Sequence, residues 1–252
     1  MLRLITIPIS HYCEKARWAL ERAGIDYREE RHVQGVHQLA ARRAGGRKTV
    51  PVLVTPGEVL ADSADILAWV DERTPVGERL FPEDGRTDVE ALCRRLDEVL
   101  GPSGRRLMYV HMLRERDLML RFNNAGVPAW EDRFLRLAWP LVVRFAAREL
   151  AITPGVEVED EAAVWRELDF VGDLLADGRP HLCGERFSAA DLTFAALAAP
   201  VIVPPEYTVA LPQPDQLPEE TAVLLRRARE HPAGEYALEL FRRRRRAPAA
   251  AS

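Results

Sequence analysis

The chain has 252 residues, 47% of them hydrophobic and 29% charged, enough for one or two packed domains and unlike a disordered chain. A net charge of -4 supplies no global field for nucleic acid or an anionic membrane, so neither is expected as a partner. Three distant cysteines, Cys13, Cys93 and Cys183, form no disulfide framework and suit a reducing compartment. With no 18-residue apolar run and no secretory signal visible, cytoplasmic residence is the expectation.

Residues 2 to 7, LRLITI, are short, apolar and β-branched, and end at Pro8, as a buried strand would. From 12 to 23 the spacing turns helical: Ala16, Ala19, Leu20 and Ala23 share a face, and Gly24 stops the helix. IDYREERHV alternates and predicts a more exposed strand. A Gly-, Arg- and His-rich loop or short helix comes next, then the apolar strand TVPVLV and a hairpin partner GEVLA. SADILAWVDERT reads as a helix with Ile66, Leu67 and Val70 on one face. The order β-α-β, then β-β-α, makes a small α/β unit.

Beyond a Pro- and Gly-rich linker the pattern becomes all-helical. Helices are expected near 88–100, 105–122, 129–149, 158–177, 188–199, 219–230 and 233–245, the third kinked by Pro140. Residues 200 to 218 carry six prolines and predict an extended crossing segment. The expected domains are 1–76, a linker 77–88, and 89–252 with a basic tail over Arg242–Arg246, read as solvated.

The stretch TIPISHYCEKARWAL has the layout of a redox Cys-x-x-Cys site with Ser10 in the first cysteine's place. Ser10 falls where a strand ends and a helix begins, where free N–H groups and the helix dipole favour an anion. A serine hydroxyl is a poor nucleophile, but it can donate a hydrogen bond to a thiolate brought by another molecule. Cys13, in the first helical turn near Arg17, is a candidate thiolate or a small buried hydrophobe. Pro51 inside TVPVLV suits a cis Val50–Pro51 bond that leaves the Val50 backbone open to an extended ligand. Asp62 and Ser63 open a helix, as an N-cap or as a grip for a ligand's carboxylate and amine.

These features, in this order, resemble the glutathione transferase superfamily: a thioredoxin-like α/β domain followed by an all-α domain. Ser10 matches the catalytic serine of tau- and zeta-class members and the catalytic cysteine of the omega class. TVPVL resembles the family's cis-proline segment, which implies that Val50 and Pro51 face the cysteinyl backbone of glutathione. Asp62 and Ser63 match the pair that holds the γ-glutamyl end, with Asp62 one methylene shorter than the usual Glu or Gln. GERFSAADLTFAALAAP resembles the family's capping-box helix; Ser188 and Asp191 are read as folding residues.

The resemblance implies glutathione as co-substrate, a small-molecule electrophile and a homodimer. The implied reaction is conjugation of glutathione, with Ser10 favouring the thiolate. A thiol reductase or deglutathionylase using Cys13, or a non-catalytic scaffold, are the alternatives. Tyr12, Met108, Tyr109 and Met112 are candidates for a second-substrate pocket. The stripe of Met108, Met112 and Met119 also fits a core or a dimer interface. His37, Arg42, Arg43, Arg47 and Lys48 are candidates for the glycyl carboxylate. The six histidines show no metal-ligand spacing, so no metal is expected. No nucleophile elbow, phosphate loop or dinucleotide fingerprint is present.

Overall fold

The computed structural model describes residues 1–245. Four strands form one mixed sheet: β1 (Leu2–Thr6), β2 (Tyr27–Arg31), β3 (Val52–Val54) and β4 (Val59–Leu60), in the order β2-β1-β3-β4. β1 pairs in parallel with β2 and antiparallel with β3, with Ile5 opposite both Glu30 and Val52. The crossover between β1 and β2 is α1 (His11–Arg22). Ser10 sits extended at its N-cap, accepting the Cys13 N–H at 3.4 Å. Gly24, at φ +65°, lets the chain leave the helix in a conformation that other residues resist.

The Gly-, Arg- and His-rich stretch contains α2 (Val36–Arg43), and α3 (Ser63–Glu72) closes the domain. Asp71 accepts the Leu80 and Phe81 N–H groups, which ties the linker back to α3.

The helical domain comprises α4 (Arg86–Glu98), α5 (Leu100–Met112), α6 (Arg116–Phe122), α7 (Ala129–Leu137), α8 (Trp139–Glu149), α9 (Val156–Leu175), α10 (Ala189–Ile202), α11 (Glu219–Glu230) and α12 (Pro232–Arg244). Two expected helices are each split. The segment 105–122 breaks between Met112 and Arg116, and 129–149 breaks at Ala138. Pro140 therefore starts α8 rather than kinking a longer helix: in a first turn its missing N–H costs nothing.

α10 is apolar all round, and every residue in it but Pro200 is buried. It is the hub, packing against α1, α4, α5, α11 and α12. Its start is fixed by Asp191, whose carboxylate accepts the Ser188 N–H at 2.7 Å and the Leu182 N–H at 2.8 Å, plus the Tyr236 hydroxyl. α10 runs through Pro200, so the extended proline-rich segment begins at Val203 rather than at 200. Val203 lies at φ +38°, strained for a β-branched residue. Its carbonyl is held by Arg229 Nη2 at 2.6 Å, and that of Ile202 by Arg229 Nε at 2.7 Å. A guanidinium on the last carbonyls of a helix offsets that strain.

Behind α1 lies a closed charge network. Arg17, fully buried, donates to Glu29 at 2.7 Å, to Glu14 at 3.3 Å and to the Ile7 carbonyl. Burial works against the Glu29 carboxylate's charge, but Arg17 and Arg31 hold it below its ordinary range. From the far end of the chain Arg245 reaches Glu14 at 2.8 Å, Glu21, and the Thr208 hydroxyl. The arginine run is therefore not a uniformly solvated tail. Arg242, Arg243 and Arg244 are exposed and Arg245 is buried; Arg246 lies outside the described residues.

Candidate functional site

Between the two domains lies a cavity of about 300 Å³. The α/β domain contributes Ile7, Ile9, Ser10 and His11 from the end of β1 and the start of α1. It adds Gln34, His37 and Gln38 around α2, and Lys48, Thr49 and Val50 before β3. The helical domain answers with Arg105, Met108, Tyr109 and Met112 of α5, Met119 and Phe122 of α6, and Phe145 and Glu149 of α8. Val203, Tyr207, Leu211 and Pro212 bring the proline-rich segment to the same space. Tyr207 is seated by its hydroxyl, which donates to the Ile9 carbonyl at 3.1 Å.

Ser10 opens into this cavity at the N-terminus of α1. Its oxygen accepts from Cys13 N–H, which leaves the hydroxyl proton to donate. The neighbouring first-turn N–H groups have no intrahelical partners, so the site favours negative charge. The Val50–Pro51 peptide is cis. Among the described residues the Val50 main chain makes no hydrogen bond. Ser10 and Val50 thus face one space. So do Met108, Tyr109 and Met112, and the loop candidates His37 and Lys48.

Other expected residues lie elsewhere. Cys13 is fully buried outside the cavity, and burial pushes its thiol up despite Arg17 nearby. It packs as a small apolar group on the sheet side of α1. Tyr12 is not a pocket residue. It faces the helical domain, donates to the Asp97 carbonyl at 2.9 Å, and its ring leaves no room for a side chain at Gly101. Pro51, Asp62 and Ser63 are also outside the cavity wall. Asp62 caps α3 by accepting the Ala64 N–H at 2.8 Å, and Ser63 is buried at the helix start. Arg42, Arg43 and Arg47 point to solvent.

Two histidines in the cavity are kept neutral. His11 is buried, bonds through Nε2 to the Gly101 carbonyl at 3.1 Å, and is pushed down to about 3 by burial, then by Arg105. The carbonyl can only accept, so Nε2 carries the proton. Burial brings His37 to about 4. Neither is a base matched to a thiol near neutral pH.

The inner wall is polar but self-contained: Gln34 and Asn123 pair their amides reciprocally, and Gln34 also donates to the Tyr109 hydroxyl at 3.0 Å. At the rim Lys48 and Glu149 form an ion pair at 2.9 Å, joined by Gln38. Gln34, Asn123, Arg105, Tyr207 and Glu149 escaped the sequence reading. Each stands in an ordinary polar or helical context, and only the tertiary fold brings them together.

A thioredoxin-like sheet with a helix N-terminus and a cis-proline loop facing an apolar helical wall defines a two-domain architecture, a thioredoxin-like domain followed by an all-helical one. Residues 4–79 match the family described as glutathione S-transferase, N-terminal domain. The whole chain has the glutathione transferase fold. A glutathione S-transferase from Methylobacillus flagellatus KT with glutathione bound aligns over 99% of this chain and 100% of its own, at 19% identity and TM-score 0.61. Glutathione transferase GSTFuA3 from Phanerochaete chrysosporium aligns over 98% of each chain, at 18% identity and TM-score 0.64. The beta-etherase LigF from Sphingobium sp. strain SYK-6 aligns over 94% of this chain and 98% of its own, at 16% identity and TM-score 0.57. No curated protein matches the chain. Among the described residues no helix is long and apolar enough to cross a membrane, and no three His, Cys, Asp or Glu side chains are grouped to hold a metal.

Proposed function

We propose that the chain is a glutathione-dependent transferase that joins the glutathione sulfur to a small electrophile with a hydrophobic body. The observation that carries this reading is the placement of Ser10 at the N-terminus of α1, opening into a cavity whose facing wall is methionine-rich. Residues present fit the tripeptide. The Val50 main chain offers both a donor and an acceptor beside Ser10. The first turn of α3, with Ser63 leading it, offers free N–H groups to a carboxylate. Glutathione would supply the nucleophilic sulfur. Ser10 Oγ–H donates to the sulfur as thiolate, and the α1 N-terminus lowers the cost of its charge. The proton leaves to solvent, because His11 and His37 are too weakly basic to take it. The burial of Cys13 argues against the reductase alternative. A homodimer in the cytoplasm belongs to the same proposal, and sedimentation tests the dimer.

Two measurements test the reading. Calorimetry should show reduced glutathione binding, weakened in Ser63→Ala. Conjugation to a chromogenic aryl halide should fall about tenfold or more in kcat for Ser10→Ala, the loss of one charge-assisted hydrogen bond. No binding by the wild type, or an unchanged Ser10→Ala rate, overturns it.

A further inference from the structure

The charges lining the cavity do not cancel. Lys48 and Glu149 neutralise each other, and His11 and His37 are neutral. That leaves Arg105, half-buried on α5. Among the described residues no carboxylate lies within ion-pair distance of it, and its Nε is buried without a hydrogen-bond partner. The Tyr12 ring lies 5.8 Å from the guanidinium. Other half-buried or buried guanidiniums have partners: Arg95 pairs with Glu167, Arg106 with Asp160 and Arg17 with Glu29, and Arg229 holds main-chain carbonyls. A partly desolvated cation without a counter-ion is costly unless a ligand supplies one. Around it Met108, Met112, Met119 and Phe122 form a soft, adaptable apolar surface.

We propose that Arg105 is the anion-binding residue of the second-substrate site, which takes an amphipathic organic anion. The apolar body rests on Met108, Met112, Met119 and Phe122, and a carboxylate or sulfonate head pairs with the guanidinium. This deepens the transferase reading and rests on it for the word substrate; the anion site itself does not need glutathione. Arg suits the task because its planar fork meets an oxyanion with two parallel hydrogen bonds.

The test compares two probes of one shape by calorimetry: anilinonaphthalene sulfonate, which is anionic, and phenylnaphthylamine, which is not. All proteins carry Leu137→Ser and Leu141→Ser, which strip exposed apolar side chains that bind such probes non-specifically. Arg105→Gln should weaken the sulfonate about tenfold or more, leave the neutral probe within about twofold, and leave glutathione affinity unchanged. Arg105→Lys should keep most of the sulfonate affinity, which also answers the case in which the Gln variant fails to fold. Equal loss of both probes, or no loss of either, overturns the proposal. So does a matching loss of glutathione affinity, which would assign Arg105 to the tripeptide. Failure of the wild type to bind glutathione, with the sulfonate result intact, would instead remove the transferase reading alone.

Discussion

The two sides of α1 treat charge in opposite ways. Behind the helix Glu14, Arg17, Glu29, Glu21 and Arg245 satisfy one another at short range, with Thr6 and Thr208 closing the remaining valences. In front, across the cavity, Arg105 stands without a carboxylate among the described residues, and a serine hydroxyl keeps a proton to give. Desolvated charge is tolerated in a protein when it is paired. Where this chain pairs it, the result is a fixed joint between α1, β2 and the end of α12; where it does not, the result is an appetite for an anion.

Breaking the paired side should have the largest effect. Arg17→Met removes the centre of the network and leaves Glu14 and Glu29 buried with fewer partners. A loss of about 3–5 kcal/mol in chemical unfolding is expected. A loss below about 1 kcal/mol would mean that the network is far wetter than the side chains' burial implies.

The open side is sharpened by pH. An unfolded His11 titrates near 6.5 and the folded one at about 3. Between those values the unfolded chain binds the extra proton. The stabilisation from keeping His11 neutral is therefore whole above pH 6.5 and is lost as the pH falls toward 3. Its slope is at most about 1.4 kcal/mol per pH unit. His37 acts in the same direction down to about 4. His11→Gln, which keeps a donor for the Gly101 carbonyl, should flatten the acid limb of the stability curve measured by urea unfolding at several pH values. An unchanged slope would mean that His11 is hydrated in solution.

The smallest effect belongs to the rim. Lys48 and Glu149 are each at least one-third exposed, so Lys48→Ala should cost no more than about 1 kcal/mol of stability. Its mark should instead be on glutathione affinity, because Lys48 faces the space beside Ser10 and Val50. A stability loss without an affinity change would make the pair a clasp between domains and nothing more.

The α/β domain was legible because its signals are local. LRLITI needs a sheet, Ser10 caps the helix after it, and TVPV places a proline where a ladder N–H would otherwise be required. The helical domain was legible in kind but not in its breaks. Trp130, Phe134, Leu137, Leu141 and Phe145 keep one helical spacing across Ala138, so periodicity alone joins α7 to α8. Pro140 marked the right place, and its meaning turned on whether it began a helix or interrupted one. α10 continuing through Pro200 is the converse, since burial on all sides holds a helix that proline would end in water. The candidate residues Ser10 and Val50 on the first domain came from the capping and cis-proline signals. Arg105 could not be read that way, because a lone arginine on a helix is defined by the absence of a carboxylate that only the tertiary structure reveals.

The bond between Arg245 and Glu14 spans 231 positions of sequence. On the ribosome the chain emerges from its N-terminus. Glu14 therefore leaves the exit tunnel long before its second cation exists, and its site on α1 stays half-built until the last described helix is complete. The α/β domain can collapse early, but its final charge balance waits for Arg245. A chain stopped before Arg245 retains every element of the cavity wall and lacks the clamp that fastens α1 from behind.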